Sequence, residues 1–161
     1  MKITIIAGML AAGTVLAGCG GDPDKEDMDT PGRTLPVPAT AAATVVSVGS
    51  TAKGAALVDA QGRSLYLFEK DGRNTSACEG DCLKMWPALT TEDRPKAGKG
   101  IKPALLGSFS RGDGTKQVTY AGHPLYRFVK DVSPGDAVGH DLEDFGAEWY
   151  LVDAAGSKVP G

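Results

Sequence analysis

Cys78-Glu79-Gly80-Asp81-Cys82 sets two thiols four residues apart, and Met85 follows within one further turn. Thiolates and a thioether together suit a soft ion such as Cu(I). In an oxidising compartment the same two thiols instead bond to each other, and Gly80 lets the chain turn so that they meet. A metal or redox site here needs another ligand, and only His123 and His140 offer an imidazole. His123 stands before Pro124 at a hairpin turn. His140 stands in the acidic loop Asp131–Asp144, with Asp136, Asp141, Glu143 and Asp144. A lone loop histidine is expected in solvent in both cases. The acidic loop has oxygens for Ca²⁺, but its spacing fits no EF-hand. No Cys-x-x-Cys-His haem site occurs.

A second set of residues recurs. Tyr66, Phe68 and Asp71 return as Tyr126, Phe128 and Asp131. Residues two apart share one face of a strand, and an aspartate at the following turn can accept backbone N–H groups. On one reading the aromatics fill the core and each aspartate holds its turn. On the other, tyrosines and aspartates from both copies line a shared cleft. Trp86, Pro87, Trp149 and Tyr150 are expected in the core; an exposed tryptophan pair would instead present a glycan or peptide surface. There is no Gly-x-Ser-x-Gly elbow, phosphate loop or dinucleotide fingerprint. Ser110 and Ser133 have no histidine nearby in sequence, so no enzyme is expected.

These residues must be positioned by short strands. Val45–Val48, Ala55–Asp59, Arg63–Glu69, Leu105–Arg111, Thr115–Ala121, Pro124–Lys130 and Trp149–Asp153 are β-type runs bounded by turn residues. In Arg63–Glu69, Leu65 and Leu67 take one face, and Tyr66 and Phe68 the other. Gly112-Asp113-Gly114 signals a hairpin, and Ser157–Val159 can pair back on the last strand. One short helical turn is expected near the cysteines, between Cys78 and Met85. The segment Gly62–Asp71 recurs as Gly122–Asp131 with six of ten positions identical. Leu57–Gly62 returns as Leu151–Gly156. Such recurrence means one supersecondary unit used more than once. The expectation is an all-β single domain over 45–161 of two tandem, hairpin-rich repeats (about 55–104 and 115–152). It would have pseudo-twofold character and be closed by its first and last strands.

The N-terminus reads differently. Lys2 precedes an apolar run, Ile3–Leu16, too short for the roughly 20 residues that span a bilayer. A positive start, apolar middle and small-residue exit are those of a secretory signal. Leu16-Ala17-Gly18-Cys19 resembles the lipobox of bacterial lipoproteins. That resemblance implies a signal peptide over 1–18, diacylglycerol on the Cys19 thiol and a membrane anchor of two or three acyl chains. Residues 19–44, rich in Asp and Pro, cannot bury enough surface to order themselves. They read as the lipidated end and a tether spanning roughly 25–30 Å. With Cys19 lipidated and the chain exported, Cys78 and Cys82 remain to form a disulfide. The net charge of −3, with no basic block, argues against nucleic acid and against electrostatic binding to anionic lipid.

Tyr-x-Phe-x-x-Asp twice behind a lipobox, with Cys78-x-x-x-Cys82, Trp86-Pro87, Gly135-Asp136 and Trp149-Tyr150, resembles the bacterial lipoproteins with a secreted repeat of unknown function. The resemblance covers about Ala55–Gly156. It implies a family and a compartment and no reaction. The expectation is a lipid-anchored envelope protein, facing periplasm or exterior, that binds an envelope protein or small ligand without a cofactor. The alternative is a copper-handling or electron-transfer lipoprotein using Cys78, Cys82, Met85, His123 or His140.

Overall fold

The computed structural model describes residues 43–161. Cys19, the leader reading of 1–18 and all of the tether reading up to residue 42 lie outside the described residues.

The elements run β1 (Val45–Thr51), β2 (Gly54–Val58), β3 (Tyr66–Phe68), α1 (Asp81–Met85), β4 (Lys96–Ala97), a 3-10 turn (Pro103–Leu105), β5 (Leu106–Ser110), β6 (Lys116–Tyr120), β7 (His123–Pro124), β8 (Leu142–Asp144) and β9 (Ala147–Leu151). They form three small sheets, ordered β2-β1-β4, β3-β9-β8 and β5-β6-β7. Among the described residues the fold is all-β apart from the 3-10 turn and α1, the short helix expected beside the cysteines.

Local chemistry sets the hairpins. Between β5 and β6, Asp113 Oδ1 accepts the Thr115 N–H at 2.9 Å, which holds the predicted turn. The recurrence of Leu57–Gly62 as Leu151–Gly156 is a repeated turn. Asp59 Oδ1 accepts the N–H groups of Gln61 and Arg63, and Asp153 Oδ1 those of Ala155 and Ser157. Beyond that turn Ser157–Val159 pairs back as predicted, with the Val159 N–H on Leu151 O at 2.8 Å.

Alternation along the motif strands builds two apolar layers. Leu65, Leu67 and Leu125 join Val46, Leu57, Leu89, Val118 and Val152 in one. Tyr66, Phe68, Tyr126 and Phe128 join Trp86, Trp149 and Leu151 in the other. The motif segments therefore lie between two cores, buried on both faces.

The motif strands are shorter than the alternation predicts. Only Tyr66–Phe68 of the first and His123–Pro124 of the second are continuous strand. The backbone there divides its bonds among several partners. The Leu125 N–H goes to Val118 O, Tyr126 to Tyr66 O, Arg127 to Pro87 O and Val129 to Met85 O. A segment held on alternating sides by different neighbours forms bridges rather than one long ladder.

Three expectations are corrected. β1 and β9 do not pair; β9 lies between β3 and β8. The acidic loop is not irregular throughout, because Leu142–Asp144 forms β8 on β9, with Leu142 opposite Trp149. His140 is not solvated but buried. Its Nδ1 accepts the Leu151 N–H at 3.2 Å, so the proton sits on Nε2, which faces Pro160 O at 3.2 Å. Burial is tolerated because both ring nitrogens are satisfied.

Candidate functional site

The two copies of the tyrosine motif meet at one point. Tyr66 and Tyr126 exchange backbone bonds, N–H to O at 2.9 and 3.0 Å, so an approximate twofold axis passes between them. Each tyrosine then reaches into the other repeat. The Tyr66 hydroxyl donates to Asp131 Oδ2 at 2.5 Å, and the Tyr126 hydroxyl to Asp71 Oδ2 at 2.7 Å. The second carboxylate oxygen holds a loop of its own repeat. Asp71 Oδ1 accepts the Ala77 N–H at 2.7 Å, and Asp131 Oδ1 the Val138 N–H at 3.0 Å. The motif is thus a pair of exchanged braces. Both tyrosines face the interior, and the two motifs do not share a cleft; Phe68 and the half-buried Asp71 of the first motif border a surface hollow of their own.

The aromatics repeat the symmetry. Phe68, Trp149, Trp86 and Phe128 stack in one column, with centroids 4.1, 3.9 and 4.2 Å apart. Tyr66 meets Trp86 edge-on at 5.3 Å, and Tyr126 meets Trp149 likewise at 5.1 Å. Each tryptophan packs edge-on to the tyrosine of its own repeat and face-on to the phenylalanine of the other. Both indole N–H groups find Asp144: Trp86 Nε1 donates to its Oδ2 and Trp149 Nε1 to its backbone O, each at 3.1 Å.

Burial sets the electrostatics. It pushes both tyrosine hydroxyls well above their ordinary 10.0, and the aspartate each one faces adds to the rise. It also raises Asp71 and Asp131 above the usual carboxylate value, against the pull of the hydrogen bonds they accept. A tyrosine that keeps its proton this firmly is a donor to its aspartate and a poor general acid.

Tyr66→Phe leaves a buried carboxylate oxygen without its donor. The expected cost is about 1.5–3 kcal/mol, the range for a hydrogen bond to a charged group. A urea-melt cycle with Asp131→Asn should show the two changes to be strongly non-additive. Independent, additive losses would mean that the brace contributes nothing as a pair.

Cys78 and Cys82 are disulfide-bonded across α1's entry, with Cα atoms 5.3 Å apart, and both are buried. So short a loop contributes below about 3 kcal/mol by chain entropy. Met85 packs at the edge of the aromatic layer, His140 is held as described above, and His123 is exposed. Among the described residues, no three His, Cys, Asp or Glu side chains are gathered as a metal site would need.

Four residues that hold this arrangement carry no signal in the sequence: Arg111, Gln117, Ser76 and Asp144. Arg111, at the end of β5, donates through Nη2 to Cys78 O at 2.7 Å and through Nη1 to Gln117. Gln117 is fully buried and donates to Leu125 O at 2.9 Å. Ser76 Oγ lies 2.7 Å from the Tyr126 hydroxyl. A buried indole N–H needs an acceptor, but nothing in the sequence singles out Asp144 for that role.

A family model described as a secreted repeat of unknown function matches twice, over residues 47–90 and 107–153. Each match takes in a hairpin, a tyrosine motif and a tryptophan segment. No curated protein and no solved structure matches.

Proposed function

Because the chain belongs to the family of secreted repeats of unknown function, we propose that it is a lipid-anchored envelope protein whose domain is a non-catalytic binding or interaction module. One observation carries the second half of this reading. The tyrosines and aspartates of both motifs bond to one another inside the domain, so the most chemically rich residues of the repeat act as scaffold. What remains for function is the outer surface. The mildly acidic charge suits a protein or small-molecule partner better than a nucleic acid. No cofactor is part of the proposal. Copper handling would need thiolates at Cys78 and Cys82, and these sulfurs are bonded to each other.

The anchor rests on Leu16-Ala17-Gly18-Cys19. Cys19→Ser should move the chain from the membrane fraction into the soluble fraction, because loss of the acyl chains removes the anchor. Retention of the variant on membranes would refute anchoring through this cysteine. No helix among the described residues is long and apolar enough to cross a membrane.

A further inference from the structure

The two halves of the domain part company at one strand. β1 and β5 occupy equivalent positions. Val48 of β1 pairs with Leu57, and Ser108 of β5 with Val118. The partners then make matching bonds, Leu57 N–H to Val152 O and Val118 N–H to Leu89 O, both at 2.8 Å.

The outer edge of β1 is filled by the segment that joins the repeats. β4 and the residues after it run parallel to β1. The Gly98 N–H reaches Val46 O, and the Val48 N–H reaches Lys99 O, each at 2.7 Å. The equivalent groups on β5 are Leu106 O and the Ser108 N–H. These, and beyond them Ser108 O and the Ser110 N–H, bond to nothing among the described residues. Ser108 and Ser110 are exposed.

β5 lacks the usual guards of a free edge. It reads Leu-Gly-Ser-Phe-Ser, without charge, proline or bulge. It is also roomier than β1. A Cβ on Gly98 would collide with Ser47 Oγ, and one on Gly100 would lie 2.9 Å from Val48 Cβ, so β1 admits glycine at both places. On β5 the counterparts of Ser47 and Val48 are Gly107 and Ser108, so the Ser47 hydroxyl and the valine methyl groups are absent there. A surface hollow of about 360 Å³ lies against the strand, lined by Ser108, Phe109, Ser110, Asp93, Arg94 and Lys116. Its two cations outnumber its one acid.

We propose that the outer edge of β5 is a docking site for an extended, neutral-to-acidic peptide segment of a partner protein, laid parallel to β5 as β4 is laid on β1. Backbone bonds supply the affinity in this mode, and the hollow supplies the preference in side chains. The β4–β1 pair is the occupied version of the same site, which sets the direction. A second copy of the chain related by a twofold axis would have to pair antiparallel. The proposal deepens the interaction reading and rests on it. Its test reads amides on β5, whereas the anchor is read by membrane release, so the two can fail separately.

The test uses the full chain in detergent and a ten-residue peptide of alternating threonine and valine with an aspartate at each end. Amide exchange by NMR should slow at least about tenfold at Ser108 and Ser110 when peptide is added. A paramagnetic tag on the peptide's N-terminus should broaden Leu106 more than Ser110. Ser108→Pro should abolish the slowing while the β5–β6 ladder stays protected, since this N–H faces outward and proline is tolerated at such edge positions. Four results would each overturn the proposal. They are no slowing at about millimolar peptide, protection already present in the free chain, protection that instead follows dimer formation in sedimentation, or broadening centred on Ser110.

Discussion

Trp86→Ala and Trp149→Ala are each expected to lower unfolding free energy by about 3–5 kcal/mol, the range for emptying a buried aromatic site. Both side chains are fully buried at the centre of the four-ring column. Removing either leaves a slot between two flat rings, which cannot sag inward as aliphatic chains do. It also strands part of Asp144, which accepts from both indoles. Against a total of about 5–15 kcal/mol for an ordinary domain, one such loss takes a large share. The approximate twofold symmetry makes a sharper prediction: the two costs should be similar. Urea melts of both variants, followed by circular dichroism, measure this. A loss below about 1 kcal/mol for either, or a several-fold disparity, would show that the column is not the shared centre of the two repeats.

Alkaline titration should unfold the domain sharply above pH 10. Tyr66 and Tyr126 are held well above 10.0 in the fold and return to it on unfolding. The sign follows from proton linkage. Where the folded value is raised, stability is complete below the unfolded value and falls as pH rises beyond it. Each group removes about 1.4 kcal/mol per pH unit, so the pair removes about 2.7. A stability of about 5 kcal/mol is then exhausted roughly two units above pH 10. Asp71 and Asp131, also raised, lose their contribution at the acid end, as pH climbs from 3.8, and do not disturb this limb. Tyrosinate absorbance and circular dichroism should therefore change together for these two residues. Gradual ionisation of every tyrosine with the fold intact would show that the hydroxyls are not sealed in the core.

Most of the strands, the β5–β6 turn and the helical turn beside Cys78 were legible in the residues, because period-two alternation and Asp- or Gly-bearing turns are local signals. β4 and β8 were not. Lys96–Ala97 forms strand only because β1 offers it an edge, and Leu142–Asp144 only because β9 does; neither segment alternates by itself. His140 was read as solvated because a lone polar residue among acids carries no mark of burial. The Leu151 N–H that satisfies it comes from eleven residues away.

By itself, the sequence determined that one unit is used twice, that Tyr66 and Phe68 share a strand face, and that two cysteines stand close enough to bond. All of these are properties of neighbours along the chain. Only the tertiary structure decided that each tyrosine bonds the aspartate of the other repeat, and that one strand edge is covered while its twin is bare. The first follows from antiparallel contact at Tyr66 and Tyr126, the second from the segment between the repeats, which lies along β1 alone. That contact carries each side chain across the axis, and partners across an axis are set by distance in space, which spacing along the chain does not encode.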